Sequence, residues 1–303
     1  MNTDRISKKS AFLFLAATIS AIAATALRCV NLFLFFDSDI GYYTSGAVMP
    51  TVFNLFLVAS VIFFIIYSFT GEKPHTMEYR APSAISKVLL IVPAILSASL
   101  IALNVPKVSS APLYLALVAI SVLAVFYFIS DLLKLSISAR ALLNILLVIL
   151  LTLLLAFSYF DQNVQMNAPD KILFGLACIS GMLFTVSELK LVVGTPRPAI
   201  YHISVASTIL FGSASSIPSI IAHHAGRSPK QNGLYYEYYF ILAMAIYAAI
   251  RLFTEFSSKS GKPLYISDIE SNAEADVEIK LESDDEKNVE SSSSVSTDTS
   301  DSE

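Results

Sequence analysis

The chain has 303 residues, of which 55% are apolar and only 15% charged, and its mean hydropathy is +0.65. This apolar excess excludes an ordinary soluble globular protein and indicates a polytopic membrane protein. The formal net charge of −4 combines two opposite parts. Residues 263–303 carry thirteen acids against Lys280 and Lys287, a charge of −11, whereas residues 1–262 hold 18 basic and 11 acidic side chains, a charge of +7.

Eight apolar runs along the chain are long enough to cross a membrane, since about 20 residues of helix span about 30 Å of hydrocarbon. They lie near residues 11–35, 49–70, 84–104, 111–130, 140–158, 172–193, 200–222 and 235–256. The runs lack the strict alternation of strands in a membrane barrel. The sequence therefore predicts an all-α transmembrane bundle of about eight spans in residues 1–262, with no soluble catalytic domain between the spans.

Lys and Arg are unequally distributed between the two sets of loops. Twelve flank the predicted spans on one side and four on the other. Positive flanks stay on the cytoplasmic side, so we predict a multi-pass plasma-membrane protein with both termini in the cytoplasm. Basic residues up to Lys9, followed by an apolar stretch with Ala24 and Ala26, also fit a cleaved signal peptide. The apolar run continues to Phe36, which favours a retained first span.

Small residues predict which helices lie at the centre of the bundle, because helices in lipid associate through close packing. Runs one, six and seven carry such patterns, whereas run five is almost entirely Leu, Ile and Val apart from Asn144. We therefore expect three central helices and a lipid-facing fifth span. Cys29 and Cys178 lie in different spans, where thiols commonly act as small apolar fillers.

The seventh run is rich in hydroxyl groups and contains an internal proline. Ser207, Ser213, Ser216 and Pro218 are the residues that would form a polar pathway along this helix. Serine hydroxyls also satisfy carbonyls freed by a proline kink and bond neighbouring helices. The sequence leaves both interpretations open, a substrate pathway and helix packing, and favours packing.

Two charged residues are predicted to meet within the membrane. Glu188 and Arg251 each lie about 16 residues into their spans from the outer side, and equal helical rise gives them a similar depth. Unpaired charges in the membrane are costly, so we predict an ion pair, with Glu255 as a competing partner of Arg251. The pair either clamps two helices or takes part in gating.

A polar cluster is predicted at the outer face, formed by Arg28, Asp37, Asp39 and His223. Arg28 lies about 28 Å beyond Lys9 along a helix, where it can snorkel to the surface or pair with Asp37 or Asp39. The nearby tyrosines are typical of an interfacial belt. Imidazole and carboxylate groups can bind a divalent cation, but adjacent histidines on a helix diverge, so we predict no metal site and no cofactor.

Residues 263–303 are predicted to be a disordered, acidic, Ser-rich cytoplasmic tail. This segment has too few apolar residues to bury and is strongly negative. Such a tail is solvated, and it is also suited to a basic protein partner.

The stretch from Asp37 through Tyr43 to Met49 and the inner loop from Gly194 to Pro198 resemble multi-span membrane proteins of anaerobic Gram-positive bacteria. The resemblance implies a bacterial cytoplasmic membrane and no particular activity.

Three functions are compatible with the sequence. The leading hypothesis is a small-molecule transporter or permease component, because a kinked, Ser-rich helix and a few intramembrane charges fit a pathway. The alternatives are a non-transporting scaffold, sensor or accessory subunit and a membrane-embedded enzyme acting on lipid. Common catalytic motifs are absent from the sequence, which argues against an enzyme. The expected partners are the lipid bilayer and a small-molecule substrate, and no nucleic acid.

Overall fold

The structure is a computed structural model that describes residues 3–37, 41–70, 82–107, 112–133, 135–160, 167–226 and 235–257. The predicted acidic tail and Asp39 lie outside these residues.

Helices account for almost all of the described chain. Besides turns and connections, the described residues also form a short antiparallel hairpin in which Phe36 pairs with Tyr43 and Asp37 with Tyr42. The elements in chain order are α1 (Thr3–Leu34), β1 (Phe36–Asp37), β2 (Tyr42–Tyr43), α2 (Met49–Phe69), α3 (Ala84–Leu89), α4 (Ile91–Ser97), α5 (Ser99–Asn104), a 3-10 turn (Val105–Lys107), α6 (Pro112–Phe128), α7 (Ile137–Phe160), α8 (Pro169–Val192), α9 (Pro198–His224) and α10 (Tyr235–Ser257).

Seven helical segments among the described residues are long and apolar enough to cross a membrane. They are Lys9–Leu34, Met49–Phe69, Ala84–Ala102, Ile137–Phe160, Pro169–Val192, Pro198–His224 and Glu237–Glu255. The predicted all-α polytopic bundle is thereby confirmed. The remaining predicted span, 111–130, corresponds to α6, whose 17 residues extend only about 25 Å.

The third predicted span is a broken helix rather than a straight one. Pro93 lies inside α4, where it removes one backbone donor. The hydroxyls of Ser97 and Ser99 donate to the carbonyls of Ala94 and Leu96 at 2.8 and 2.7 Å. Such local bonds compete with the regular helix ladder, so the chain passes from α3 to α5 through two tight turns.

The start of α1 and the end of α10 meet at the same end of the bundle. Ser10 of α1 and Glu255 of α10 both lie 3.4 Å from the imidazole of His202, near the start of α9. We call this the inner end, which the loop charges predict to be cytoplasmic, and the opposite one the outer end. α6 packs against α5, and the turn that follows it brings Asp131 to within 3.7 Å of Arg251 of α10.

The core is built around α9, which packs against α1, α2, α8 and α10. Ala17, Ala21 and Ala24 of α1 are buried, in agreement with its predicted central position. A Cβ added at Gly212 would lie 2.8 Å from the Cβ of Ala245, so glycine allows α9 and α10 to pack closely. The sequence did not predict that α10 belongs to the core.

α7 lies at the edge of the bundle and packs on α6 and α8. Leu142, Ile145 and Ile149 are exposed along one face, as expected for a lipid-facing helix. Its other face is buried and includes Arg140 and Asn144. The predicted peripheral helix therefore also contributes a charge to the interior.

Candidate functional site

The predicted partners Glu188 and Arg251 are in contact. Nε of Arg251 donates to Oε1 of Glu188 at 3.1 Å, which joins α10 to α8. Each residue is only 2% exposed. A charge so buried is costly unless it is paired, and each of these residues supplies the opposite charge that the other needs.

The contact belongs to a larger network that extends to the turn after α6. Asp131 Oδ2 lies 3.7 Å from Nη1 of Arg251, and Asp131 Oδ1 forms an ion pair with Nη1 of Arg140. Asp131 and Arg140 are 6% and 4% exposed. Nη2 of Arg140 also donates to the Ser130 carbonyl at 3.3 Å. Carboxylate and guanidinium groups therefore alternate across four elements.

Tyr201 brings α9 into the same network. Its hydroxyl donates to Oε1 of Glu188 at 2.7 Å, so this one oxygen accepts from both Tyr201 and Arg251. Charge-assisted bonds of this kind are shorter and stronger than neutral ones. We name the five linked residues the inner cluster: Asp131, Arg140, Glu188, Tyr201 and Arg251.

A second buried contact lies beside the inner cluster. Nε2 of His202 is 3.4 Å from Oε2 of Glu255 and 3.4 Å from Oγ of Ser10. Glu255, which was predicted as a competitor for Arg251, therefore contacts the imidazole. The Glu255 side chain is 12% exposed, compared with 4% for that of His202, so the carboxylate is the member closer to the surface.

Sequence reasoning missed Asp131 and Arg140 as members of the site. Arg140 was counted among the positive flanks that fix orientation, yet it is buried in the first turns of α7. The available signal was an acid and a base that bracket a short connection between two spans. The rule that assigns orientation from loop charges treats residues at the ends of spans as solvated. Counting residues along each span also does not show that the turn between α6 and α7 brings Asp131 and Arg140 together.

At the outer end, Arg28 is also buried and paired; of the two partners predicted for it, Asp39 lies outside the described residues. Among the described residues its ionic partner is Asp170 of α8, rather than Asp37. Nη1 of Arg28 also donates to the Tyr43 hydroxyl at 2.9 Å, and the guanidinium carbon lies 5.7 Å from the centre of the Phe53 ring. Arg28 is 1% exposed, so it does not snorkel to the surface.

The other outer-face residues lie in different environments. Asp37 is half-buried on β1, and His223 is exposed in the last turn of α9. Nε2 of His224 lies 3.1 Å from the Tyr239 hydroxyl. Within the described ranges, no three His, Cys, Asp or Glu side chains are arranged to hold a metal ion.

Burial raises the pKa of Tyr43 in the outer hairpin, and the neighbouring Arg28 charge partly opposes that rise. The neutral hydroxyl is therefore the form that the folded protein favours.

The hydroxyl groups of α9 mainly bond helix backbones. Ser216 donates to the Gly212 carbonyl at 2.6 Å, and Thr208 donates to the carbonyls of Ser204 and Ser180 at 2.8 and 2.9 Å. The last of these bonds joins α9 to α8. Of the residues predicted to form a polar pathway, Ser207, Ser216 and Pro218 are buried and Ser213 is half-buried. These contacts favour packing, the interpretation that the sequence also favoured.

Comparison with protein families, curated proteins and solved structures finds no match to this chain. The chain is therefore identified only as an integral membrane protein, a helical bundle with buried ionic contacts at both ends.

Proposed function

We propose that the protein is a small-molecule transporter in which the inner cluster closes the inner end of the pathway. The observation that carries the proposal is the linkage of five buried polar side chains across α7, α8, α9, α10 and the turn after α6. Buried ionisable groups in membrane helices are rare and usually mark substrate or ion pathways. The location of the cluster, at one end of the bundle, suits a gate.

Packing alone does not require such a cluster. The close approach of Gly212 to Ala245 illustrates how small residues join helices in lipid without charge. Buried ion pairs add little net stability compared with apolar side chains of similar volume. A buried ion pair can, however, adopt two distinct arrangements, in which the charged groups contact each other or contact water. A gate needs two such alternative states.

α8 connects the inner cluster to the outer ion pair. It carries Asp170 near its start and Glu188 near its end, about 27 Å apart along the helix. Cys178 lies between them and is fully buried. A tilt of α8 that loosens one of the two contacts while retaining the other would expose Cys178 to one side of the membrane at a time.

The native thiol provides a direct test. In a Cys29→Ser background Cys178 is the only cysteine, because the chain has two. Membrane vesicles of either orientation are treated with a membrane-impermeant cationic thiol reagent, with and without Glu188→Gln. We expect Glu188→Gln to accelerate labelling from the inner side by about tenfold or more, which corresponds to a loss of about 1.4 kcal/mol from the closed state.

Asp37→Asn is the matched control, because it removes a carboxylate from the half-buried hairpin and should leave labelling of Cys178 from the inner side unchanged. Equal acceleration from both sides in Glu188→Gln would mean that Glu188 supports the fold as a whole. That result, or no acceleration at all, would contradict a gate at the inner end.

A non-transporting scaffold or accessory subunit is the second candidate function. The bonds from the α9 hydroxyls to helix carbonyls favour it, because they use polar groups for packing. A scaffold predicts that Cys178 stays unreactive in folded Glu188→Gln protein.

A further inference from the structure

The imidazole of His202 lies between two helices. Nε2 is 3.4 Å from the hydroxyl oxygen of Ser10 on α1 and 3.4 Å from a carboxylate oxygen of Glu255 on α10. His202 itself is on α9 and is 3% exposed. A single nitrogen atom thus connects the central helix to the first and last helices of the bundle.

The protonation state of this nitrogen determines which neighbour it can bond. Without a proton, Nε2 accepts from the Ser10 hydroxyl and presents a lone pair to the Glu255 carboxylate. With a proton, Nε2 donates to Glu255, and the Ser10 hydroxyl must turn away as a donor. For a neutral ring whose proton is on Nδ1, uptake of a proton at Nε2 therefore shifts the hold on α9 from α1 to α10, whereas the neutral tautomer with its proton on Nε2 already donates to Glu255. Histidine is the side chain suited to exchange a proton at physiological pH.

The helices that pack against α9 carry further charged groups besides Glu255. On α10, Arg251 lies one turn before Glu255. On α1, Lys9 precedes Ser10, and its ammonium donates to the carbonyls of Ser68 and Thr70 at 2.9 and 3.1 Å. On α8, the Glu188 carboxylate accepts from Tyr201, the residue next to His202.

The Glu255 carboxylate can accept a hydrogen bond from a protonated Nε2. The partly exposed Glu255 side chain also gives a proton a short route from the inner surface.

We infer that His202 and Glu255 form a proton-binding site at the inner end of the bundle. The bound species is a hydrogen ion taken from water onto Nε2 and held against the Glu255 carboxylate. The role of the site in transport rests on the proposed function, in which proton occupancy would couple to the gate formed by the adjacent inner cluster. The binding of the proton itself does not depend on that function.

Nuclear magnetic resonance of ¹³C-labelled histidine tests the binding of the proton. The chain has four histidines, so the His202 signal is identified by its loss in His202→Gln. In full-length protein in lipid nanodiscs we expect this signal to titrate within about pH 5 to 8 and its titration to change in Glu255→Gln. His223→Gln, which removes an exposed imidazole at the outer end, should leave the His202 titration unchanged. A His202 signal that stays fixed across this range, or that ignores Glu255→Gln, would overturn the inference.

Labelling of Cys178 tests the coupling separately. In the Cys29→Ser background the inner-side rate, normalised to that of denatured protein at the same pH, should differ severalfold between about pH 6 and pH 8. The difference should persist in His223→Gln and disappear in His202→Gln. A rate that changes with pH equally in all three proteins would overturn the coupling, even if Glu188→Gln opens the gate. The two proposals can also be separated. If Glu188→Gln does not accelerate labelling of Cys178, but Glu255→Gln changes the titration of the His202 signal, the transporter proposal fails and the proton site stands.

Discussion

The two ends of the bundle bury charge in different ways. At the outer end, among the residues that the structure describes, Arg28 has one ionic partner, Asp170, together with a tyrosine hydroxyl and an aromatic ring. At the inner end Arg251 contacts both Glu188 and Asp131, and Asp131 also pairs with Arg140. Arg28 can lose its ionic partner without separating any other ion pair that is described at this end, whereas loss of Arg251 affects Glu188 and Asp131 together. The comparison indicates that charges at the inner end depend on one another and that the outer ion pair is independent of them.

The largest expected effect comes from removing the cation shared within the inner cluster. Arg251→Met leaves the buried Glu188 carboxylate without its guanidinium partner and weakens the hold on Asp131. Breaking a buried pair by removing one partner costs about 3–5 kcal/mol. Equilibrium unfolding in mixed micelles measures the loss in free energy of unfolding. A loss below about 1 kcal/mol would mean that water already solvates the cluster.

Replacing both partners should distinguish the two ends. Arg28→Met combined with Asp170→Leu removes both members of a single ion pair, and apolar replacements of this kind are often neutral, so most of the stability lost in Arg28→Met alone should return. Arg251→Met combined with Glu188→Leu should remain destabilised, because Tyr201 loses its acceptor and Asp131 loses one of its cations. The comparison of the two double variants uses the same unfolding assay. Equal recovery at both ends would contradict the distinction between pair and network.

An intermediate effect is expected where α9 meets α10 between the two ends. Gly212→Ala places a Cβ 2.8 Å from the Cβ of Ala245 and 3.3 Å from the Ile241 carbonyl oxygen, and such overpacking costs about 1–3 kcal/mol. Gly175→Ala is the matched control, because its Cβ would meet Leu155 at 3.4 Å, which leaves more room. Thermal unfolding of the two variants should rank Gly212→Ala as the less stable. The opposite order would mean that α9 and α10 separate easily.

The smallest expected effect concerns the outer hairpin. Tyr43→Phe removes the hydroxyl that accepts from Arg28 at 2.9 Å, at a cost of about 1 kcal/mol. Because burial raises the pKa of Tyr43, the folded state retains its proton more firmly than the unfolded chain. Stability should therefore fall as the pH rises through the unfolded-state value of about 10, and Tyr43→Phe should reduce that fall. Unfolding curves at neutral and alkaline pH provide the measurement, and identical curves for the two proteins would contradict it.

Helical rise explains what the sequence could predict. Glu188 and Arg251 could be paired in advance, because both spans run from the outer side to the inner side and equal residue counts give a similar depth. Depth does not specify which helices are lateral neighbours, so the sequence suggests Asp37 or Asp39, which follow α1 in the chain, as partners of Arg28 and does not suggest Asp170 on α8. Arg140 was treated as a solvated flank because the rule for orientation counts end residues without regard to burial. The apolar runs gave the all-α bundle directly, whereas the breaks around Pro93 depended on local hydroxyl bonds.

The central claim is that the two buried ionic contacts close opposite ends of one pathway. The most direct test compares the side of the membrane from which Cys178 is labelled in two variants, Glu188→Gln and Asp170→Asn, both in the Cys29→Ser background. If the two ionic contacts close opposite ends of one pathway, Glu188→Gln should accelerate labelling from the inner side and Asp170→Asn from the outer side. If both variants accelerate labelling from the same side, or from both sides equally, the contacts stabilise the bundle and do not close a pathway.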